Sequence, residues 1–539
     1  MCSFNRWMVL LLLPAALVAQ TDRDLPLVQG VLQALQRPHE GAILLPVRAG
    51  VDGVLVALPG EVPATERPCV LVVAGLNPDH RVGVQVAAQL PQALLAAAKE
   101  DPALAECLAR CAVEVIAVPA PDALEWAARG ALREARAVPA PMDDDNDGLV
   151  DEDGPEDMNG DGIIASMRAP DDDGVWRISD EDPRLLVKAD ASKGERGAWK
   201  LTTEGIDNDG DGLINEDGPG GVDLDRNFAH GWKEGEREVG SSCPSEVASR
   251  ALIEHVLQRR SVAAVLVLGW RDNIAQLPRT NDAAGKRAPN GLHTEDVAWA
   301  KPLTASLAKV LGATDGVEDT ADGGFHQWAY AQHGLPAFAS RVAYRLELPA
   351  DSKLPSGKAP ESLEAKWLLQ SDAAVAQGFM PWSPCEHPTW KGAELGGFAP
   401  LWKVHLDAAQ LAAAVKAQVL AVAAIAQALP RVGVGKLASK DLGAGLYEIT
   451  ADIHCHGLLP MATAQARATR TARPLLVRFV CGTGSLVDGE VLTRLERLGT
   501  NGHERLRWLV QTNGTLDVTV STNSDRCGNS SAQLKVEVR

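Results

Sequence analysis

The segment Val70-Leu-Val-Val-Ala74, followed by Gly75-Leu-Asn-Pro-Asp-His80, decides the fold that the sequence predicts. Five apolar residues in a row, with no polar residue between them, are typical of a buried strand. The stretch at residues 82–99 that follows has the spacing of a helix. A buried strand that leads into a helix is the first half of an α/β unit.

The same alternation of apolar runs and helical stretches continues along the chain. Further strands are predicted at residues 113–118, 262–268 and 343–348, and further helices at residues 245–258 and 294–311. Residues 323–330 are typical of a loop that enters a helix. This order favours an α/β domain in which a mixed sheet is flanked by helices, and functional residues are expected in the loops beyond the strand ends.

One acidic segment carries nearly all of the net charge of −19. Between Asp143 and Asp217 there are 24 acidic and 7 basic residues, which gives a net charge of −17. The rest of the chain contains no basic stripe that could neutralise phosphates, so nucleic-acid binding is disfavoured. The segment is interpreted as an insert at residues 141–221, within a domain that spans residues 20–430.

A short repeat within this insert predicts calcium binding. Asp143-Asp-Asp-Asn-Asp-Gly-Leu-Val-Asp-Glu-Asp-Gly-Pro155 recurs as Asp207-Asn-Asp-Gly-Asp-Gly-Leu-Ile-Asn-Glu-Asp-Gly-Pro219, and Asp157-Met-Asn-Gly-Asp-Gly-Ile-Ile164 lies between them. Oxygen donors at alternate positions, then glycine and two apolar residues, resemble the first half of an EF-hand loop. The predicted ligands are Asp143, Asp145 and Asp147 in the first loop, Asp157, Asn159 and Asp161 in the second, and Asp207, Asp209 and Asp211 in the third.

None of the three loops has Glu at its twelfth position, so none is a complete EF-hand. Neighbouring loops are instead expected to share ligands such as Glu152, Asp153, Glu216 and Asp217. A solvated acidic linker is the alternative, but plain linkers lack repeated glycine and apolar positions. Because this many carboxylates repel one another, calcium is expected to fold the insert.

The chain begins with a segment that is typical of a signal peptide. Residues 1–19 combine a positive charge at Arg6, an apolar stretch at residues 8–18 and a suitable cleavage residue, Ala19. Export to the periplasm or the extracellular space is therefore predicted. The eight cysteines after Cys2 permit disulfides there, although the sequence does not define their pairing. No later stretch is expected to insert into a membrane.

The last part of the chain changes from helical to strand-like spacing. Residues 406–429 form an Ala-rich helical stretch that ends at Pro430, and a linker follows at residues 431–435. Alternating runs rich in β-branched residues are clearest at residues 447–453, 475–480, 508–512 and 516–521. They predict a β-sandwich across residues 431–539, with an accessory role.

Three motifs give the chain a resemblance to the M14, or carboxypeptidase A-like, zinc carboxypeptidases. They are Val222-Asp-Leu-Asp-Arg-Asn-Phe228, Trp328-Ala-Tyr330 and Tyr344-Arg-Leu-Glu-Leu348. Over residues 25–539 the chain resembles exported bacterial members that carry an Asp-rich insert and a C-terminal β domain. The resemblance implies that Arg226, with Asn227, binds the terminal carboxylate of a peptide or protein, and that Glu347 is the general base.

The zinc-ligand positions of that family are substituted in this chain. The family has a His-x-x-Glu motif after the first buried strand, where Asn77 and His80 stand instead. It has a further His after the strand at residues 262–268, where Arg271 is the nearest match, and its catalytic Tyr falls at Asp319. Catalytic zinc needs three protein donors, whereas Asn is a weak ligand and Arg has no lone pair to donate. Zinc binding is therefore expected to be weak or absent.

Three hypotheses about function remain open from the sequence. The first is a non-catalytic or strongly impaired carboxypeptidase relative that binds peptides or surface components in a retained cleft. The second is an active metallocarboxypeptidase that holds zinc with unusual ligands such as His80, Asp79 and Asp272. The third is an extracellular structural or adhesion protein that calcium makes rigid. A carboxylate bound near Arg226 would favour the first over the third, and stoichiometric zinc would favour the second.

Overall fold

The structure is a computed structural model, and it describes residues 30, 42–47, 51–141, 143, 148–218, 220–280, 291–313, 319–342, 348, 351–373, 378–499 and 501–537. The α-helices within this part of the chain are α1 (Arg81–Glu100), α2 (Pro102–Arg110), α3 (Pro121–Ala127), α4 (Val247–Gln258), α5 (Val297–Leu311), α6 (Phe325–Ala331), α7 (Leu363–Ala373), α8 (Ala408–Ala428) and α9 (Ala464–Thr469).

The strands fall into three regions of the chain. The first region holds β1 (Ala42–Val47), β2 (Val51–Val56), β3 (Cys69–Ala74), β4 (Ala112–Ile116) and β5 (Val138–Pro139). The middle region holds β6 (Ser166–Pro170), β7 (Trp176–Ile178), β8 (Leu186–Lys188), β9 (Trp199–Thr203), β10 (Gly221–Val222), β11 (Val262–Leu268), β12 (Ala337–Ser340), β13 (Phe379–Pro384) and β14 (Glu394–Phe398). The last region holds β15 (Arg431–Val434), β16 (Ala438–Gly443), β17 (Leu446–His456), β18 (Leu475–Val480), β19 (Ser485–Asp488), β20 (Leu492–Leu495), β21 (His503–Gln511), β22 (Leu516–Asn523) and β23 (Ser530–Val536).

A six-stranded mixed sheet lies at the centre of the α/β domain, in the order β1-β2-β4-β3-β11-β12. The last four strands of this order run parallel, and β1 and β2 are antiparallel to their neighbours. Val70 and Val72 pack with helices α1, α2, α5 and α8, whereas Leu71 and Val73 pack with α4 and α6. Burial on both faces explains the unbroken apolar run of β3. The predicted fold class, an α/β domain with a mixed sheet, is confirmed.

Helix α8 lies in the core on one face of this sheet. Its first turn is capped by Asp407, whose Oδ1 accepts a hydrogen bond from Gln410 N at 2.8 Å, while the Gln410 side chain accepts one from Asp407 N at 3.1 Å. By length and composition alone, this one helix of the described chain could cross a membrane, with a mean hydropathy of 1.7, and the expectation that no stretch inserts into a membrane stays a prediction. Buried side chains of α8 pack in the same core as α1, α2 and α5.

The acidic segment contains a sheet that the sequence did not predict. At its base β5 pairs with β10, where Pro139 lies opposite Gly221. Between the two strands of this pair in the sequence, strands β6 to β9 form an antiparallel sheet with the hairpin of β13 and β14, in the order β13-β14-β6-β9-β7-β8. Met167 and Leu395 are buried together in its small core. The sheet therefore joins the segment to residues 379–398, and the insert boundaries 141–221 stay a prediction.

The C-terminal strands form two antiparallel sheets over one core. The first has the order β15-β17-β21-β19, with β16 paired to β17, and the second has the order β20-β18-β22-β23. Phe479 of one sheet stacks on Trp508 of the other, with ring centroids 4.4 Å apart. The predicted β-sandwich is confirmed, and its accessory role stays a prediction.

The carboxylate of Asp296 joins the sandwich to the α/β domain. It accepts hydrogen bonds from the N–H groups of Ala464 and Gln465, at 2.7 and 3.1 Å, in the first turn of α9. It also accepts hydrogen bonds from Trp299 Nε1 at 2.9 Å and from the Tyr330 hydroxyl at 2.8 Å. Because Asp296 is only 1% exposed, these four hydrogen bonds stabilise a carboxylate that burial alone would destabilise.

Candidate functional site

The carboxyl ends of the central strands bring two of the predicted residues into one cluster. Strands β3 and β11 are parallel neighbours with Ala74 opposite Leu268, so the loops that follow them lie at the same edge of the sheet. Asn77, after β3, donates a hydrogen bond through Nδ2 to Asp223 Oδ1 at 2.6 Å. The same oxygen accepts one from Asp225 N at 2.8 Å.

Arg271, after β11, is held by carboxylates of this cluster. Its Nε donates to Asp225 Oδ2 at 3.0 Å, and its Nη2 donates to the Asp225 carbonyl oxygen at 2.7 Å. Its Nη1 lies 2.5 Å from Asp322 Oδ1 and 3.9 Å from Asp319 Oδ1. Burial would lower the pKa of the guanidinium, but Asp225 and Asp322 raise it above its usual value. Arg271 is therefore charged, with its donors directed at protein oxygens.

Two carboxyl groups of the cluster are buried, and the pKa of each is raised. Burial, and then the charge of Asp225, raise the pKa of Asp223 to about 7. Burial also raises the pKa of Asp225, and the charge of Arg271 offsets part of that rise. Asp225 Oδ1 accepts a hydrogen bond from Phe325 N at 2.9 Å, which ties the start of α6 to the cluster.

A histidine–aspartate pair borders a cavity next to the cluster. His326 Nε2 lies 2.7 Å from Asp319 Oδ2, and Gln327 Nε2 donates to Asp319 Oδ1 at 2.9 Å. Burial would raise the pKa of Asp319, but the charge of His326 and its hydrogen bond lower it below the usual value. The cavity has a volume of about 60 Å³, and its walls include His230, Leu277, Leu292, Trp299, Asp319, His326, Tyr330 and Phe338.

The third predicted zinc position, His80, is not brought into this cluster by a hydrogen bond. It is 1% exposed and contacts Trp270 edge to face, with ring centroids 5.0 Å apart. Burial lowers the pKa of His80 to about 4, so the ring is neutral at pH 7. Its neighbour Asp79 accepts a hydrogen bond from Trp270 Nε1 at 2.8 Å. Asp272, the other proposed unusual ligand, accepts hydrogen bonds through Oδ1 from two backbone N–H groups at 3.0 and 2.7 Å.

The donors at this edge of the sheet do not fit a catalytic zinc ion. Asn77 uses its amide nitrogen to donate to Asp223, and the guanidinium of Arg271 has no lone pair to offer a metal. In the described ranges, groups of three His, Cys, Asp or Glu with donor atoms within 4.8 Å of one another occur in the acidic segment and not at this edge. The protein's own groups at this edge therefore supply a fixed positive charge in place of a metal ligand.

Arg226 and Asn227, the predicted substrate-binding residues, point to different surroundings. Arg226 lies partly exposed, donating through Nη2 to Glu236 Oε2 at 2.6 Å and through Nη1 to the Arg237 carbonyl oxygen at 2.8 Å. Asn227 is fully buried, and its amide makes five hydrogen bonds with Val239, Ser242, Ser245 and Glu246. Of the two, Arg226 is the one whose side chain can reach a ligand from solvent.

Glu347, the predicted general base, lies outside the described residues, as does most of the strand predicted at residues 343–348. The strand that pairs in parallel with β11 is β12, at Ala337–Ser340, and it contains no acidic residue. Ser340 there is buried and accepts a hydrogen bond through Oγ from Gln418 Nε2 of α8 at 2.9 Å. The role of Glu347 stays a prediction.

The acidic loops share one hydrogen bond. The first Asp of each loop accepts, through Oδ2, a hydrogen bond from the N–H of the glycine five residues later. The pairs are Asp143 with Gly148 at 3.1 Å, Asp157 with Gly162 at 2.7 Å and Asp207 with Gly212 at 3.0 Å. The three glycines have φ of 96°, 83° and 99°, a region that favours glycine. Asp145 and Asp147 of the first loop lie outside the described residues.

Two carboxylate clusters in the described part of this segment could each surround a cation. One comprises Asp207, Asp209 and Asp211 of the third loop, and the other comprises Asp153, Asp209 and Glu216. Asp153 N donates to the Asp217 carbonyl oxygen at 3.1 Å, which places the first and third repeats side by side. Desolvation and the nearby Asp153 carboxyl raise the pKa of Glu216 to about 7. A divalent cation between these carboxylates would reverse that shift.

Several residues of the site were not singled out in the sequence. Asp223 and Asp225 lie in the motif that was used to identify Arg226, and their alternate spacing at a strand end is a signal that could have marked them. Asp322 precedes the Gly-Gly turn before α6, and no local pattern pairs it with Arg271. Asp296 likewise has no sequence signal, because its partners in α9 lie about 170 residues away.

The fold and site define an α/β protein with a mixed central sheet, an acidic segment and a C-terminal β-sandwich. A family described as a domain of unknown function, DUF8731, matches residues 431–535, and no curated protein matches the chain. Solved structures with some likeness include thrombin activatable fibrinolysis inhibitor, at 10% identity and a TM-score of 0.41, covering 76% of this chain and 74% of that one.

Two further solved structures have lower TM-scores. Carboxypeptidase A from Helicoverpa armigera has 12% identity and a TM-score of 0.31, covering 60% of this chain and 64% of that one. Murein-tripeptide amidase MpaA from Escherichia coli O157 has 15% identity and a TM-score of 0.24, covering 57% of this chain and 85% of that one. At these scores the likenesses carry no argument about activity.

Proposed function

We propose that this chain is an exported, non-hydrolytic relative of the zinc carboxypeptidases that binds the carboxyl end of a peptide or protein. The binding cleft lies at the carboxyl ends of β3, β11 and β12. The observation that carries the proposal is the ion-pair cluster of Arg271 with Asp225 and Asp322, at 3.0 and 2.5 Å. Without a metal, a bound peptide carbonyl is not polarised and water keeps its ordinary pKa, so hydrolysis is not supported.

Arg226 is the residue that we assign to the ligand's carboxylate. Its present partner Glu236 is a surface residue, and an exposed pair of this kind contributes about 1 kcal/mol or less. A ligand carboxylate can therefore replace Glu236 at low cost, with bidentate geometry. Arg271, by contrast, would have to leave the buried carboxylate of Asp225, which costs much more. The backbone of Arg226 contacts Gly323, one residue from Asp322, so Arg226 lies beside the cluster.

The cavity beside the cluster supplies the second contact that a peptide end needs. Its apolar walls, which include Trp299 and Phe338, suit the last side chain of a peptide, and His326 and Asp319 offer polar contacts.

The test measures peptide binding and peptide hydrolysis with the same full-length protein. A peptide library with free carboxyl ends is compared with the amidated library, with calcium present and with zinc added at a stoichiometric amount. Binding of the free but not the amidated peptides, lost in Arg226→Gln and kept in the surface control Arg250→Gln, is expected without cleavage. Cleavage that depends on bound zinc would establish the active metallopeptidase, and binding of neither library would favour a structural or adhesion protein.

We also propose that the acidic segment binds calcium as a structural cofactor. The proposal is supported by the Asp–Gly hydrogen bond that the three loops share and by the two clusters that have Asp209 in common. Oxygen donors of this kind are the ligands that Ca²⁺ prefers. The signal-like residues 1–19, which lie outside the described residues, support export to a calcium-rich compartment.

A further inference from the structure

Two cysteines at the end of α2 lie within contact distance of each other. Cys107 Sγ is 3.5 Å from Cys111 Sγ, and both residues are buried, with 0% and 3% exposure. Cys111 has left the helix, with φ −122° and ψ 170°, while its N–H still donates to the Cys107 carbonyl oxygen at 2.9 Å. The backbone is therefore held so that both side chains meet on one side of the turn.

The surroundings of this turn hold the two sulfurs in place. Arg67 donates through Nη1 to the carbonyl oxygens of Leu58 and Leu108, at 2.6 and 3.2 Å, which fixes the last turn of α2 against the start of the sheet. Cys111 leads directly into β4, which is fully buried. The two sulfurs are 3.5 Å apart, against about 2.05 Å in a disulfide bond.

We propose that Cys107 and Cys111 form a disulfide, a modification site that fastens the end of α2 to the start of β4. The oxidant is a small-molecule disulfide or a disulfide-donating oxidoreductase of the compartment in which the chain folds. The proposal does not depend on what the cleft binds.

Thiol–disulfide exchange gives a balanced route to the bond. Either cysteine can react first, and the route is the same when written with Cys107 as the first thiolate. Its sulfur attacks the donor disulfide and displaces one donor thiolate. The Cys111 thiolate then attacks Cys107 Sγ and displaces the second donor thiolate. Two protein thiols lose two electrons, and the donor disulfide is reduced to two thiols that take up the two protons.

Burial determines when this exchange can occur. With the turn folded, neither sulfur is open to a donor, so the bond forms while α2 is still assembling or when its last turn opens. Once formed, the bond is shielded from reducing agents for the same reason. Cys243, which is only half-buried, donates a hydrogen bond through Sγ to the Asn227 carbonyl oxygen at 3.5 Å and serves as the internal comparison.

The test uses tryptic mapping, because Arg110 lies between the two cysteines. Full-length protein is unfolded, refolded in a mixture of reduced and oxidised glutathione, alkylated in denaturant and digested without reduction. Recovery of peptides 100–110 and 111–129 as one disulfide-linked species, separated by later reduction, is expected, with Cys243 alkylated. Recovery of Cys107 and Cys111 each alkylated, or linked to other cysteines, would overturn the proposal.

Two variants distinguish a specific disulfide between Cys107 and Cys111 from non-specific oxidation of the cysteines. In Cys107→Ser, Cys111 should be recovered alkylated, and in Cys111→Ser the same should hold for Cys107. Linkage of the remaining cysteine to a third cysteine in either variant, at a yield equal to that of the wild-type bond, would also count against a specific pair.

Discussion

At the scale of single residues, Arg271 supplies the positive charge of the cluster at the carboxyl ends of the central strands. Its side chain is only 15% exposed, and it neutralises the buried carboxylate of Asp225 and the partly exposed carboxylate of Asp322. Arg271→Met removes that charge and should lower the free energy of unfolding at pH 7 by about 3–5 kcal/mol. Arg226→Met, which breaks the exposed pair with Glu236, should cost about 1 kcal/mol or less. Urea unfolding measures both, and equal losses would contradict this account of Arg271.

Asp223 gives the cluster a pH dependence. Its pKa is about 7 in the folded protein against an ordinary value of 3.8, so the folded state keeps a proton that the unfolded chain has lost. Stability from this group is therefore highest below about pH 4, falls as the pH rises to about 7 and is constant above that. At about 1.36 kcal/mol per pKa unit, the fall is about 4 kcal/mol at most.

Asp223→Asn tests that pH dependence directly. The Asn side chain still has an oxygen that can accept hydrogen bonds from Asn77 and from Asp225 N, but it does not titrate. The difference in unfolding free energy between variant and wild type should grow in the variant's favour from about pH 4 to about pH 7. Urea unfolding curves for both proteins that stay parallel across this range would show that the Asp223 carboxyl is not the cause.

The sequence could locate single residues at strand ends but not their partners. Asn77 and Arg271 were identified because each follows an apolar run that is visible in the sequence. The contact of Arg271 with Asp322 joins residues about fifty positions apart, and that contact depends on how α5 and α6 return to the sheet. The same limit applies to the cavity, since its walls come from β12 and the segments around α5 and α6.

At the scale of elements, Asp296 accepts two of the hydrogen bonds that link α9 to the α/β domain, and Thr463 and Gln465 donate others through their side chains. Asp296→Ala leaves the N–H groups of Ala464 and Gln465, the Tyr330 hydroxyl and Trp299 Nε1 without their acceptor. Because an unsatisfied buried donor costs about 1–3 kcal/mol, a loss of at least about 3 kcal/mol is expected. The sandwich should then unfold in a transition separate from that of the α/β domain.

A matched control for this link is the adjacent Glu295. It is 63% exposed at its side chain and pairs with Arg467 of α9 at 2.5 Å, so Glu295→Ala should cost about 1 kcal/mol or less and keep a single transition. Differential scanning calorimetry distinguishes one transition from two. If Asp296→Ala unfolds in one transition with wild-type stability, the carboxylate is not what joins the two parts.

Long apolar elements were predicted well, and short ones were not. Strand β11 was predicted with its observed bounds, and β3 within one residue. An unbroken apolar run of this length is compatible with few structures other than a buried strand. Strand β12 was missed, since Ala-Phe-Ala-Ser is too short and too weakly apolar to be told from a loop. The strands of the acidic segment were missed because they are three to five residues long, and one of them, β6, takes a partner from residues 379–398.

At the scale of the whole molecule, the uneven distribution of charge separates the acidic segment from the rest. A net charge of −17 over residues 143–217 means strong repulsion within one small antiparallel sheet and its loops. The core of that sheet is small, with Met167 and Leu395 among its few buried residues, so apolar burial offers little to oppose the repulsion. The α/β domain and the sandwich have their own larger cores and do not share this weakness.

Calcium removal should therefore unfold the acidic segment and leave the two larger cores folded. At a free calcium concentration of about one hundred times Kd, binding stabilises the folded segment by about 2.7 kcal/mol, and a chelator removes that contribution. Hydrogen exchange should become faster in residues 148–218 after chelation, with little change in β3 or β11. Asp209→Asn removes the carboxylate that both clusters share and should weaken binding about tenfold or more, which is about 1.4 kcal/mol.

Asp172→Asn, in the same segment but outside the loops, should bind calcium with wild-type affinity in titration calorimetry. Equal weakening in both variants would mean that calcium responds to the overall charge of the segment and not to the geometry of its loops.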